Sequence, residues 1–154
     1  MHDAEEFRYL VLAAQREGAR LTGQGLKPLG VTTAQGEVLR VLQDHQPLTL
    51  SGLGELLVCE TGTSPSRLVD RLCASGLVDR RPAVHDRRHI ELTLTPEGRD
   101  VADRIADIEQ RFYQRIRDSA QGDDLHLVNS CLRAFVGDLP AGRALARRIE
   151  LEQP

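Results

Sequence analysis

SPSRLVDRLCASGLVDRRPAVHDRRHIELTLTPEGR, residues 64–99, is the stretch on which the fold turns. Ser64 followed by Pro65 is a helix start: a capping hydroxyl, then a proline lacking an N–H that the first turn could not have bonded anyway. Leu68 and Leu72, four residues apart, give this helix an inward face, with Val69 beside them. Arg67 and Arg71 repeat the spacing on a different face. Gly76 closes the helix as a left-handed cap. Leu77–Arg81 then reads as extended. Ile90, Leu92 and Leu94 alternate with Glu91, Thr93 and Thr95, which is strand period. The polar loop between these stretches ends in Arg87 and Arg88, so the hairpin has an arginine-rich tip. A helix with two arginines on its open face, followed by a basic hairpin, suits a DNA major groove and the adjoining minor groove. The alternative is an ordinary helix and hairpin with a solvated charged face.

On the N-terminal side, residues 4–22 read as a helix in which Phe7, Leu10, Val11, Ala14 and Leu21 recur at helical spacing. Gly23, Gly25, Pro28 and Gly30 are expected to break it. Thr32 or Thr33 can cap a second helix with Val38, Val41 and Leu42 facing inward, and Thr49 or Ser51 can cap a short third one carrying Leu53, Leu56 and Leu57. On the C-terminal side, Thr95-Pro96-Glu97 opens a long helix, about residues 96–118, striped by Val101, Ile105, Ile108, Phe112 and Ile116. A further helix over about 124–138 is expected to stop at Pro140 and Gly142, with one more short helix in the tail. The central unit cannot cover the apolar stripes of both ends, so a second subunit is expected to do so; a monomer with its own helical layer is the alternative.

The chain has 154 residues, 40 % hydrophobic but only 3 % aromatic, so its core is built of Leu, Val, Ile and Ala. The net charge is −3. Residues 64–90 hold six arginines against three aspartates, a local +3 that leaves the remainder at −6. That contrast fits a site-restricted DNA binder better than a nonspecific nucleic-acid coat. No run of 18 uncharged apolar residues exists to span a membrane. The N-terminus, MHDAEEFRYL, is acidic where a secretory signal would be basic, so a cytoplasmic protein is expected. Cys59, Cys73 and Cys131 are widely spaced and lack a CxxC pair. They read as small buried hydrophobes, with a thiol switch through Cys59 and Cys73 as the alternative. His85 and His89 share the hairpin without a ligand set around them, so no metal and no cofactor is expected. GxSxG, HExxH, phosphate-loop and dinucleotide fingerprints are absent from the sequence, which argues against an enzyme.

Thr33-Ala34-Gln35 through Leu39 and Leu42, Leu53-Gly54-Glu55-Leu56, Ser66 through Leu72, Gly76 through Arg80, Asp86-Arg87-Arg88, and Leu92 through Gly98 together resemble the MarR (multiple antibiotic resistance regulator) family of bacterial transcription factors. The likeness covers about residues 32–99, and the DRR wing followed by LTLTPEG is its most specific part. It implies a mainly α fold with a small β-hairpin wing: a winged helix-turn-helix core plus a helical dimerisation layer. Residues 1–154 would form a single MarR-like domain, with 32–94 as the DNA-binding unit and 4–22 and 96–152 as the dimerisation region. It further implies a homodimer on a pseudo-palindromic double-stranded operator, often acting as a repressor released by a small phenolic or lipophilic effector, or by thiol oxidation. A degenerate winged helix serving only protein interaction is the rival reading.

In that frame the helix over 64–74 enters the major groove. Ser64 and Ser66 suit phosphate or base-edge contacts, and the Arg67 fork can meet guanine O6 and N7. Arg71, one turn on, suits phosphate. Asp70, between them, is expected to orient either guanidinium or accept from cytosine N4. The resemblance implies that Asp86 braces an arginine of the wing: Arg88 is taken as the braced partner and Arg87 as the minor-groove reader. His85 is a candidate phosphate contact. Pro65 departs from the Val or Thr of many family members. Effector candidates are Tyr9, Leu10, Arg16, Leu39, Leu57 and Phe112, each also readable as plain core or interface.

Overall fold

The computed structural model describes residues 2–58, 63–84 and 88–152. Its elements are α1 (Asp3–Leu26), α2 (Thr33–His45), β1 (Leu48–Thr49), α3 (Leu50–Gly54), α4 (Pro65–Ala74), β2 (Val78–Pro82), β3 (Ile90–Leu94), α5 (Pro96–Asp118), α6 (Asp124–Val136) and α7 (Pro140–Glu152). The chain is mainly helical with one small antiparallel sheet of order β1-β3-β2. This is a winged helix-turn-helix with additional helices at both ends.

The caps follow the side chains available. Thr32 accepts from Gln35 N–H while the Gln35 side chain accepts from Thr32 N–H, a full capping box that starts α2. Thr49 caps α3 and Thr95 caps α5 with the hydroxyl alone, accepting from the amides of Gly52 and Gly98. Leu77 N–H reaches back to the Leu72 carbonyl at 2.9 Å across Gly76 at φ 72°, a Schellman-type end for α4 that needs a residue free to adopt positive φ.

The core lies under α2. Val38, Leu39, Val41 and Leu42 are fully buried there, against Leu53, Val69, Leu72, Leu92, Ala102 and Ile105 from the surrounding elements. In the sheet, Val78 stands opposite Leu94 and Arg80 opposite Leu92, so the alternation of β3 sends Leu92 and Leu94 inward. The third strand, β1, was not expected. It is two residues long, pairs Leu48 with Leu92, and is continued by the Gln46 side chain, whose oxygen accepts Leu94 N–H at 2.7 Å.

Two expected breaks are corrected. Gly23 and Gly25 lie inside α1, which runs on to Leu26. A Cβ on Gly25 would stand 2.8 Å from Ile108, so glycine here serves the close approach of α1 and α5. Pro140 starts α7 and does not merely stop α6, which ends at Val136. α7 is a full 13-residue helix.

Candidate nucleic-acid interface

Helix α4 has two faces with opposite fates. Leu68, Val69 and Leu72 are buried in the core, which fixes the helix about its axis. Arg67, Asp70 and Arg71 are exposed. Arg67 and Arg71 have no hydrogen-bond or ion-pair partner among the described residues, so both guanidiniums are available to an external anion. Ser64 and Ser66 lie at the N-terminal end with their hydroxyls 3.0 Å apart. Ser64 is the N-cap residue by position, yet its side chain makes no capping bond and pairs with the Ser66 hydroxyl instead.

Asp70 departs from expectation. Its carboxylate pairs with Arg80 of β2 at 2.7 Å, not with Arg67 or Arg71. β2 runs directly beside α4 and delivers Arg80 to the aspartate. The pair ties the helix to the first strand of the wing. Arg81, next along, is bonded to Asp79 at 2.7 Å and is mostly exposed. Arg88 is exposed two residues before β3. His85, Asp86 and Arg87, the other wing candidates, lie outside the described residues, as does Cys59.

The effector candidates are not brought together. Tyr9 and Leu10 are on the exposed apolar side of α1, with Val11 and Leu12 beside them, and Arg16 is exposed on the same helix. Leu39 is fully buried in the core. Leu57 lies on a cleft between the segment after α3 and α7. Phe112 is half-buried, its ring 3.1 Å from where a Cβ on Gly18 would be. It also bounds a small cavity of about 220 Å³ between α1, α2 and α5, which Tyr113, Arg40 and Arg148 help to wall. Cys73 is partly buried, and that burial pushes its thiol above the ordinary cysteine range, with Arg80 opposing and Asp70 and Asp79 adding. A thiol shifted this way holds less reactive thiolate at neutral pH. Among the described residues no group of three or more His, Cys, Asp or Glu is placed to hold a metal ion. No helix among them is long and apolar enough to cross a membrane.

Sequence reasoning missed the acids that receive the C-terminal arginines. Arg147 meets Glu55, and Arg148 meets Glu37 at 3.2 Å. The only hint in the sequence was a pair of adjacent arginines on an otherwise uninformative tail.

Residues 29–89 match the family model described as MarR family. The chain is 30 % identical over 117 residues to the multiple antibiotic resistance protein MarR of Salmonella typhimurium, covering 76 % of this chain and 72 % of that one. It is 28 % identical over 131 residues to the organic hydroperoxide resistance transcriptional regulator of Bacillus subtilis, covering 85 % and 87 %. The structure superposes on that of the S. aureus MepR–DNA complex with a TM-score of 0.78 at 23 % identity, over 86 % of this chain and 98 % of that one, a likeness of fold. The residues that pattern α4 and the wing, the arrangement of those elements and these relatives agree, and the chain belongs to the MarR family.

Proposed function

We propose that this protein is a dimeric, sequence-specific regulator of transcription that binds pseudo-palindromic duplex DNA through α4 and the wing, and that it acts as a repressor. The observation that carries this reading is the division of α4: three core residues hold the helix in place, and two unpaired arginines stand on the opposite side. Residues 32–94 act as the reading unit, with Arg67 on base edges, Arg71, Ser64 and Ser66 on phosphate or base edges, and Arg87 or Arg88 in the minor groove. Asp70 serves by holding Arg80 and so fixing the wing strand against α4. Residues 4–22 and 96–152 supply the dimer layer, which sets two reading helices about 34–36 Å apart, one turn of DNA.

Release is by a small lipophilic or phenolic effector. The cavity beside Phe112 suits it in chemistry, with Ile105 and Ile108 as apolar wall and Arg40 and Arg148 as charged groups. At about 220 Å³ it admits only a small molecule. The test is fluorescence anisotropy of the full-length protein on a duplex from its own upstream region, against a scrambled duplex, across a salt series. Specific binding at least about 100-fold over scrambled is expected. The salt slope should be about −0.9 per phosphate neutralised. Arg67→Ala should weaken specific binding by about 1–3 kcal/mol. Equal, weak binding to both duplexes that Arg67→Ala leaves unchanged would refute the reading for this operator.

A further inference from the structure

Leu77 and Thr95 face each other at the root of the wing. Leu77 lies between α4 and β2, and Thr95 between β3 and α5. Thr95 N–H donates to the Leu77 carbonyl at 3.1 Å, one step beyond the Val78–Leu94 pair that ends the β2–β3 ladder. The end of the reading helix, both strands of the wing and the start of α5 therefore meet at one joint.

The Thr95 side chain works in two directions there. Its hydroxyl accepts Gly98 N–H at 2.9 Å, which caps α5, and donates to the Gly76 carbonyl at 2.7 Å, just past the end of α4. A hydroxyl offers one donor and two acceptor lone pairs, so both bonds are made at once. A helix leaves amides unpaired where it starts and carbonyls unpaired where it stops. One side chain here joins the start of α5 to the stop of α4. Gly98 brings the backbones together as well: a Cβ on it would stand 2.0 Å from the Leu77 carbonyl oxygen. From this joint α5 runs into the core through Gly98, Ala102 and Ile105, which share one face. Arg40 with Glu109, and Gln43 with Asp103, hold the same half of α5 to α2. Further on, Tyr113 and Ile116 are exposed. α5 is unbroken over 23 residues, so a rod of about 34 Å is anchored at its wing end. α4 packs on α2, α3 and β2, and α5 on α1, α2 and β3, so the joint adds a link that this packing does not supply.

We propose that Thr95 is a positioning residue for DNA reading: its hydroxyl fastens the end of α4 and the root of the wing to the first turn of α5, so that the tilt of α5 sets where the reading helix stands. The inference rests on α4 being the DNA-reading helix. Without the hydroxyl, the Gly76 carbonyl and the Gly98 amide lose their shared partner, and the end of α4 is held by its packing alone. The two reading helices of a dimer then sample a wider range of separations, which the duplex must narrow on binding.

The experiment uses the full chain with Thr95→Val, Thr95→Asp, Thr95→Ser and Thr32→Val, each first checked for native circular dichroism. Asp separates the two bonds, because its carboxylate accepts Gly98 N–H but has no proton for Gly76. Thr32→Val is the control, removing a hydroxyl that caps its own helix through Gln35 N–H. Hydrogen exchange of the Leu77 and Gly98 amides is followed by NMR relative to Leu42 of the core, so that a global loss of stability cancels. Anisotropy gives the affinity for the upstream duplex and for the same duplex with one base pair inserted at its centre, which moves a half-site by about 3.4 Å. Thr95→Val should speed exchange at both amides, weaken the upstream duplex about fivefold, and shrink the preference for it over the inserted duplex at least about threefold. Thr95→Asp should leave Gly98 protected yet speed Leu77 as Val does. Thr95→Ser should match wild type, and Thr32→Val should leave Leu77 exchange and the spacing preference within about twofold of it. Unchanged Leu77 exchange in folded Thr95→Val or Thr95→Asp overturns the proposal, as does an equal acceleration by Thr32→Val. Faster Leu77 exchange with unaltered affinity and spacing preference overturns the role in reading. If Thr95→Val does not fold, Thr95→Asp, which keeps α5 capped, decides by Leu77 exchange and by the spacing preference, a ratio from which its added charge cancels. If the wild type binds no duplex and Arg67→Ala is inert, the functional reading fails instead, and Leu77 exchange alone decides whether the joint holds α4.

Discussion

Leu72 on α4 and Leu127 on α6 are both leucines of amphipathic helices, yet Leu72 is fully buried and Leu127 is 66 % exposed. The contrast extends to the elements around them. Apart from the two-residue β1, every helix and strand from α2 to β3 places at least one side chain in a common core, with Leu92 and Leu94 doing so for the sheet. α6 has no buried residue at all. Leu127, Val128 and Phe135 on it, and Tyr9 through Leu12 on α1, expose apolar surface, and Phe7 of α1 meets Phe135 of α6 edge-on at 6.3 Å. The reading unit satisfies its hydrophobic pattern within one chain. The exposed faces of α1 and α6 carry as clear a pattern and leave it unmet, which is why we assign them to a dimer seam.

The largest effect should come from the satisfied region. Leu72→Ala removes side-chain volume from a fully buried site with no room to collapse, and should cost about 2–5 kcal/mol of stability in chemical denaturation. A cost below about 1 kcal/mol would mean that the α2–α4 contact is loosely packed and the contrast with α6 overdrawn. The converse variant, Leu127→Asp with Phe135→Asp, should leave the circular dichroism of the reading unit in place and raise the dimer dissociation constant at least about 100-fold in sedimentation equilibrium. A double variant that stays dimeric would move the seam away from α6. Asp70→Asn belongs near the bottom of the scale. With both partners exposed, loss of the Arg80 pair should change stability by about 0–1 kcal/mol. Its effect should appear instead as weaker duplex binding, because the wing strand is no longer tethered to α4.

How far the sequence could be read follows the same division. The block 64–99 contains its own punctuation: Ser64-Pro65, Gly76 and Thr95-Pro96 sit at element ends, and the structure puts α4, β2, β3 and α5 where those signals point. What escaped were features set by distant partners. Gly25 looked like a breaker because sequence alone cannot reveal that Ile108 will press against it. β1 is two residues long and exists because β3 offers it an edge. Asp70 was assigned to its neighbours in sequence, but Arg80, ten residues on and brought alongside by the hairpin, takes it. Glu37 and Arg148 are 111 residues apart, and no local pattern marks either of them. The candidate effector residues scattered for a related reason: an apolar residue near an expected pocket looks the same in sequence as one in the core, and Leu39 is in the core.

The smallest effect concerns Tyr113, which stands on α5 where the two regions meet, near Arg40, Glu109 and Arg148. Tyr113 is 42 % exposed, and partial burial is the main cause pushing its phenol above the ordinary tyrosine range; Glu109 adds to the shift, and Arg40 and Arg148 oppose it. A raised value in the fold means that the fold prefers the neutral phenol. The corresponding stability is fully present below the unfolded value, about pH 10, and is lost as pH rises through the higher folded one. Tyr113→Phe removes the ionisation, so its melting temperature should match wild type at neutral pH and decline less steeply under alkaline conditions. The Cys73 thiol, also raised by burial, acts with the same sign from a lower pH, so the profile is compared in wild-type and Cys73→Ser backgrounds to separate the two. Superimposable profiles for Tyr113→Phe and wild type would mean that the phenol is as well hydrated in the fold as in the unfolded chain. The junction of α5 with α2 and α7 would then be open to water, and the boundary between the satisfied region and the unmet one would lie deeper in the molecule, on the Ile105 side of Phe112.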